Sequence, residues 1–369
     1  MTRHLIVSTC GTSLLTNGAA SDLRKWLTER TNHRENELSP QEKNRILDQL
    51  LQKAQELDQA PLAQVRKLSA DLNGILGFYG GQLPAASHDE HILLHTDTFQ
   101  GRIVAEALRE WLARKDLNVT CQVAEGLTTR TIQDFHAGVS SVITWCEQTL
   151  PGYRQQCRVI FNLVGGFKLL QGYMQTLGML HADEMIYIFE ANDELLRIPR
   201  LPIELERSVE TAVREHIQIF RKLAVLGETV PSPATAEVPE AFIYQLDGEA
   251  ELSPWGKLVW ERFRKRLYDE QIWDPWSSLV RLSEKARRTV DESAHLRATF
   301  NERMDDLAVY LESKRGSPPP KRLDFKALKG NPWPPSTDEF DLTADRGACR
   351  GFGHFEGETF VVDAIRRHS

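Results

Sequence analysis

The stretch CRVIFNLVGGFKLLQGYMQTLGMLHADEMIYIFE, residues 157–190, decides the fold. CRVIFNLV is an apolar run that reads as a strand, GGFKLLQGYMQTLGMLHA as a turn feeding a helix, and EMIYIFE as a second strand. Strands this uniformly apolar have no solvent face, so they imply a parallel sheet covered by helices on both sides. The same alternation runs upstream. HLIVSTC ends in the turn GTS, HILLHTD leads into the helical FQGRIVAEALREWLARK, and NVTCQVA precedes a helical stretch around IQDFHAGVSSVITWCEQ. The polar helical stretch of residues 39–58 reads as an insertion on this core. Residues 1–200 are therefore expected to form an α/β domain with a parallel-sheet core.

In such a sheet, ligands bind outside the carboxyl ends of the strands. Two loops there suit an anion. Thr9, Cys10, Gly11, Thr12 and Ser13 leave the first strand, offering backbone N–H groups and hydroxyls at a helix N-terminus. Asn162 to Lys168 follow an apolar strand: paired Gly165 and Gly166 let the backbone approach a phosphate, and Lys168, after Phe167, supplies a point charge. A third loop, Thr96, Asp97 and Thr98, has similar chemistry. Neither main loop is a Walker loop or a GxGxxG fingerprint, so nucleoside triphosphate hydrolysis and dinucleotide binding are not supported.

The 369 residues carry a net charge of −7 and five scattered cysteines without CxxC or Cys/His pairing. Reduced thiols in a cytoplasm, and no structural metal, are the expectation. No apolar run approaches the ~20 residues of a membrane span, and no signal-peptide layout opens the chain. Local charge differs from the whole: residues 314–329 hold six basic side chains against one acid, Asp324. Such a patch is either a solvated loop or a phosphate site.

Residues 201–275 contain the helical ELERSVETAVREHIQIFRKLAVLG, a Pro-rich connector, a DG hairpin in FIYQLDGEAELSP, and the helical WGKLVWERFRKRLYDEQIW. Helices plus one hairpin suit a small winged-helix module that links, dimerises or binds nucleic acid; the linker is favoured. Residues 276–369 read as a strand, a helical pair and four strands: KRLDFKALK, DEFDLTA, ACRGFGHF and TFVVDAIRR. These make a compact α+β domain.

VSTCGTSLLTN with NLVGGFKLLQGYMQTLGMLHADEMIYIFE, and also HTDTFQGRIVAEAL and EGLTTRTIQDFHAGV, resemble the CRISPR-associated Rossmann fold (CARF) sensor domains. The resemblance covers residues 1–200. It implies a homodimer with one cyclic oligoadenylate across the two-fold axis, cyclic tetra-adenylate being the commonest activator. It carries ligand contact onto Cys10, Gly11, Thr12, Ser13, Gly165, Gly166, Phe167 and Lys168. Some members cleave their own ligand, which Ser13 and Lys168 would permit.

ACRGFGHFEGETFVVDAIRRHS, preceded by LDFKALKG, resembles the end of RelE-family mRNA interferases, particularly the YoeB-like branch. The whole architecture is similar to CRISPR-associated mRNA interferases: CARF sensor, winged-helix linker, RelE-like nuclease. The family implication is ribosome-dependent cleavage of mRNA in the A site, where rRNA helps to orient the substrate. RNA cleavage by the 2′-OH needs a base, positive charge on the phosphorane and an acid for the 5′-oxygen. In a hairpin closed by EGE, Arg350 lies beside the strand end of Arg366, Arg367 and His368. Arg350 and Arg367 then suit phosphate clamping, His368 general acid or base work, and Lys326 and Lys329 added charge. The sequence departs from the branch in three ways. Lys326 stands where a glutamate base is expected, with Asp324 two residues earlier on the same strand face. Ser369 replaces a terminal aromatic. Asp341 and Thr343 replace lysines. The base is thus open between Asp324, Lys326 and His368. The competing function is a CARF–winged-helix transcriptional regulator with a non-catalytic last module; a metabolic nucleotide enzyme lacks any fingerprint.

Overall fold

The computed structural model describes residues 3–84, 88–166, 168–189, 194–313, 318–330, 333–343 and 349–367. The chain divides into two compact units, Met1–Leu205 and Glu206–Ser369.

The first unit is mixed α/β. Its six strands are β1 His4–Cys10, β2 Glu90–Thr96, β3 Asn118–Ala124, β4 Arg158–Asn162, β5 Glu184–Phe189 and β6 Glu194–Pro199. They run in the order β3-β2-β1-β4-β5-β6. The first five pair in parallel and β6 is antiparallel to β5. Leu5, Ile6 and Val7 of β1 and Val159, Ile160 and Phe161 of β4 are fully buried, which is why these runs are continuously apolar. The strand order reverses between β1 and β4, so the crevice at their carboxyl ends is the ligand position of a doubly wound sheet.

The insertion is a helix, Pro40–Gln59, started by a capping box between Ser39 and Glu42. Three helices and one strand add to the sequence reading: Ser21–Glu29, Leu62–Leu68, Ala70–Phe78 and β6. Helix Ile132–Arg154 runs past the expected end, with Pro151 inside it.

In the second unit, helices Arg207–Glu215, Ile217–Leu226 and Pro254–Glu270 accompany a small sheet of β7 Val230–Pro231, β8 Ile243–Leu246 and β9 Glu249–Leu252, in the order β7-β9-β8. The first expected helix breaks at His216. The expected hairpin turn is present, with Asp247 and Gly248 both at positive φ, the geometry that Asp-Gly turns favour. A five-stranded sheet follows: β10 Val280–Leu282, β11 Lys326–Ala327, β12 Asp338–Asp341, β13 Cys349–Glu356 and β14 Thr359–Arg367. Its order is β10-β14-β13-β12-β11, antiparallel except for β10 with β14. One face packs Phe340, Phe360 and Val362 against Phe300, Met304 and Leu307 of helix Arg297–Glu312. Gly351 is required there, since a Cβ would lie 2.0 Å from Cζ of Phe340. The strand expected over residues 321–329 shrinks to two residues, because Asp324 takes φ +40, outside the extended region.

Candidate functional site

Two places collect the candidate residues, one in each unit. In the first unit, the loops after β1 and β4 interlock. The Thr9 hydroxyl donates to the Gly165 carbonyl at 2.7 Å. Cβ atoms at Gly11 and Gly166 would lie 3.0 Å from Gly166 N and 2.7 Å from Thr9 Cβ, and Gly166 holds φ +92. The glycines are therefore needed for the loops to meet, before any ligand is considered.

Asp71, from helix Ala70–Phe78, lies between them. Its carboxylate accepts from Gly11 N–H at 3.1 Å, from the Ser13 hydroxyl at 3.3 Å and from the Ser69 hydroxyl at 3.1 Å. A Cβ at Gly165 would sit 2.0 Å from its Oδ1. Asp71 is fully buried, and burial pushes its carboxyl up to about 6 against hydrogen bonds that favour the charged form. Asn162, also buried, donates its amide to Ser8 Oγ at 3.0 Å and to the Asp71 carbonyl at 3.2 Å, and accepts from Val164 N–H. Asn162 and Thr9 thus fasten the site. Cys10 is buried with its thiol pushed well up, first by burial and then by Asp71, so it is an inert packing residue. Thr12 and Ser13 stay partly accessible, and Lys168 is exposed at the start of helix Lys168–His181. Phe167 lies outside the described residues.

The third loop opens on a separate cavity of about 590 Å³, which includes Arg34, His95, Thr96, Asp97 and Arg102 and no residue of the first two loops. There Asp97 pairs with Arg34 at 3.3 Å and accepts from Gly126 N–H at 3.2 Å. The structure thus joins the first two loops and leaves Thr96 and Asp97 at another opening.

Asp71 escaped the sequence reading. Its one signal is a lone acid in the first turn of the otherwise apolar ADLNGILGF. A pH test follows from its burial. The folded chain holds a proton up to about 6, whereas the ordinary value is 3.8. Between these values the folded state binds more protons than the unfolded one, so stability falls as pH rises from about 4 to about 6. That slope amounts to about 3 kcal/mol and should vanish in Asp71→Asn, which keeps an acceptor for Gly11 N–H. Denaturant unfolding of both proteins across this range checks it; parallel curves would refute it.

In the second unit, the outward face of the terminal sheet carries charge in register. Asp341, Arg350 and Arg366 form one cross-strand row, and Lys326, Glu339 and Phe352 the next. All of these except Asp341, together with Lys329, Trp333 and Arg367, line a cavity of about 470 Å³. Arg350 donates to Glu339 at 3.1 Å and pairs with Asp341 at 3.1 Å. Lys326 pairs with Asp324 and lies 3.9 Å from Glu339. The Arg366 guanidinium stacks 3.9 Å above Trp333. The hairpin thus brings Arg350 opposite Arg366, with Cys349 opposite Arg367. His368 lies outside the described residues, as does Ser369. Among the described residues, five cations and one carboxylate line the cavity, an arrangement suited to a phosphodiester.

Part of the basic cluster of helix Pro254–Glu270 is engaged in ion pairs: Arg264 and Lys257 pair with Glu261, Arg266 pairs with Glu210, and Trp260 is buried. This weakens a DNA-reading role for that helix. Among the described residues, no group of three or more His, Cys, Asp or Glu could hold a metal ion, and no helix is long and apolar enough to cross a membrane.

Residues 66–201 match the model of a family described as CRISPR-associated protein (Cas_APE2256). The matched stretch contains Asp71, the loop after β4 and five of the six strands, and excludes β1 and the whole second unit. No curated protein matches the chain. This part of the chain is thus similar to a CRISPR-associated family, and a CRISPR-linked role is supported.

Proposed function

We propose that the protein is an ancillary effector of type III CRISPR-Cas defence, a ligand-activated endoribonuclease. In this reading the first unit is a CARF sensor that binds cyclic oligoadenylate, expected to be cyclic tetra-adenylate, as a homodimer. Thr12, Ser13 and Lys168 would face the phosphates. The second unit, through a winged-helix segment and a RelE-like nuclease, cuts mRNA on the ribosome. The observation that carries the reading is the cavity where Arg350, Arg366, Arg367, Lys326 and Lys329 converge on the outer face of the terminal sheet. Guanidinium groups fixed there before substrate arrives stabilise the charge that grows on a phosphorane. The role of His368 as acid rests on the resemblance. Activity must be gated by a ligand that favours the active arrangement, since equal affinity for both states shifts nothing.

The test is mapping mRNA ends on programmed ribosomes with and without cyclic tetra-adenylate. Cuts bearing 2′,3′-cyclic phosphate and 5′-hydroxyl ends are expected only with the ligand. Lys168→Ala should raise the ligand concentration needed by roughly 10- to 150-fold, the loss of one charge-assisted hydrogen bond. Absence of ligand-dependent cuts would overturn the reading, and an unshifted Lys168→Ala would remove the lysine from the ligand site.

A further inference from the structure

We propose that Glu339 is the general base of the nuclease cavity, a role that rests on the ribonuclease reading above. The sequence leaves the base open between Asp324, Lys326 and His368, because Lys326 stands where a glutamate is expected. The structure supplies a carboxylate from a different strand. Glu339 sits on β12 directly across from Lys326 on β11, so the carboxylate missing at one position is provided by its cross-strand partner. It is the one carboxylate among the described residues that line the cavity.

The neighbouring acids are placed less well. Asp324 lies in a left-handed turn, is half exposed and does not line the cavity. Asp341 is held by Arg350 Nε at 3.1 Å and also lies outside the lining. The Glu339 side chain is 13% exposed, shielded from bulk water but open to the cavity. Its contact with the Arg350 guanidinium at 3.1 Å sets it one group away from a phosphate clamped by that arginine. The 2′-hydroxyl adjoins that phosphate in the substrate, which brings its proton within a base's reach.

The step balances as follows. Glu339 takes the 2′-OH proton, the 2′-oxygen bonds to phosphorus, and Arg350 and Arg366 hold the non-bridging oxygens. The bond from phosphorus to the 5′-oxygen breaks, and that oxygen takes a proton from the imidazolium expected at His368 or from solvent. The products are a 2′,3′-cyclic phosphate and a 5′-hydroxyl. Trp333, 43% exposed, offers a ring for a nucleobase where the terminal aromatic is replaced by Ser369.

Charged groups within ion-pair distance of Glu339 are Arg350 on β13 at 3.1 Å and Lys326 on β11 at 3.9 Å; Asp324 pairs with that lysine, Asp341 with that arginine, and Lys329, Arg366 and Arg367 line the same cavity.

The experiment is single-turnover cleavage by the full chain, with ligand, on programmed ribosomes over a range of pH. Two mRNAs are compared, one natural and one with a 5′-bridging sulfur at the scissile position, a leaving group that needs no acid. Glu339→Gln keeps an acceptor for Arg350 and should still slow cleavage ~10²–10⁴-fold, the usual loss for a general base. The wild-type rate is expected to fall on the acidic side, the variant's rate should lack that limb, and the sulfur substrate should not rescue it. A Glu339→Gln protein within tenfold of wild type, one that keeps the acidic limb, or one rescued by sulfur would overturn the assignment while the ribonuclease reading stood. A wild-type protein that cleaves neither substrate would overturn both.

Discussion

Arg350→Ala is expected to slow ligand-dependent mRNA cleavage about 10²- to 10³-fold, the scale of losing one preorganised group that stabilises transition-state charge. The guanidinium belongs to a residue that lines the cavity. It donates to Glu339 and forms an ion pair with Asp341, and it stands opposite Arg366 across the hairpin. Removing it takes a positive charge from the phosphorane and also removes the cation shared by two carboxylates of β12. Arg350→Lys should recover little, because an ammonium cannot bridge two carboxylates, or a phosphate and a carboxylate, with a planar fork. Affinity for cyclic tetra-adenylate should not change, since the loops proposed to bind it belong to the other unit. Single-turnover cleavage, with calorimetry for the ligand and thermal unfolding for the fold, separates these effects. A folded, ligand-binding Arg350→Ala protein that cleaves at the wild-type rate would take the cavity out of the chemistry.

Arg350 also shows what could be read from the chain. TFVVDAIRR and ACRGFGHF alternate about a tight turn, so the sequence alone sets Arg350 beside the end of the last strand. The register of Arg350 with Arg366 agrees. In the first unit the buried strands are legible because parallel pairing hides both faces, and the loops are legible because their glycines follow those strands directly. Asp71 was not legible. It is one acid in an apolar helix, and its importance comes from meeting Gly11 and Gly165, roughly 60 and 90 residues away along the chain. β6 was missed because an edge strand with Leu196 and Arg197 both exposed lacks a clean alternation. The strand expected at 321–329 was overcalled because nothing in LDFK announces a left-handed Asp324. The outward side of Glu339 follows from Phe340 facing the core in DEFD, but its partnership with Lys326 and Arg350 needs the order of three strands.

The second large effect lies away from both sites. Arg221→Met is expected to destabilise the second unit by roughly 3–5 kcal/mol, the cost of breaking a buried ion pair by removing one partner. Arg221, in helix Ile217–Leu226, is fully buried. It donates from Nε to Asp305 of helix Arg297–Glu312 at 3.0 Å, forms an ion pair with the same carboxylate at 2.8 Å, and donates to the Asp274 carbonyl at 2.6 Å. Tyr268 donates its hydroxyl to the same Asp305. Asn301 adds a second joint, donating to the carbonyls of Tyr268 and Gln271 and accepting from Trp273 N–H. Residues 206–275 are thus fastened to the helix that backs the five-stranded sheet, within one compact unit. Burial raises the Asp305 carboxyl, and Arg221 opposes that rise. Without the arginine the carboxyl should climb further, so the folded variant takes up a proton at a higher pH than the unfolded chain does. Stability is then lost as pH rises and regained as it falls, and the deficit of Arg221→Met should shrink on acidification. Adding Asp305→Asn, which removes the orphaned charge and still accepts from Tyr268, should restore most of the loss near neutral pH. Denaturant unfolding of the single and double variants at two pH values decides the matter. A deficit below about 1 kcal/mol, the range of exposed pairs, would show that the pair contributes no more than a surface salt bridge. A full-sized deficit that ignores both pH and the second substitution would mean that packing around the arginine stem, rather than its charge, joins the two segments.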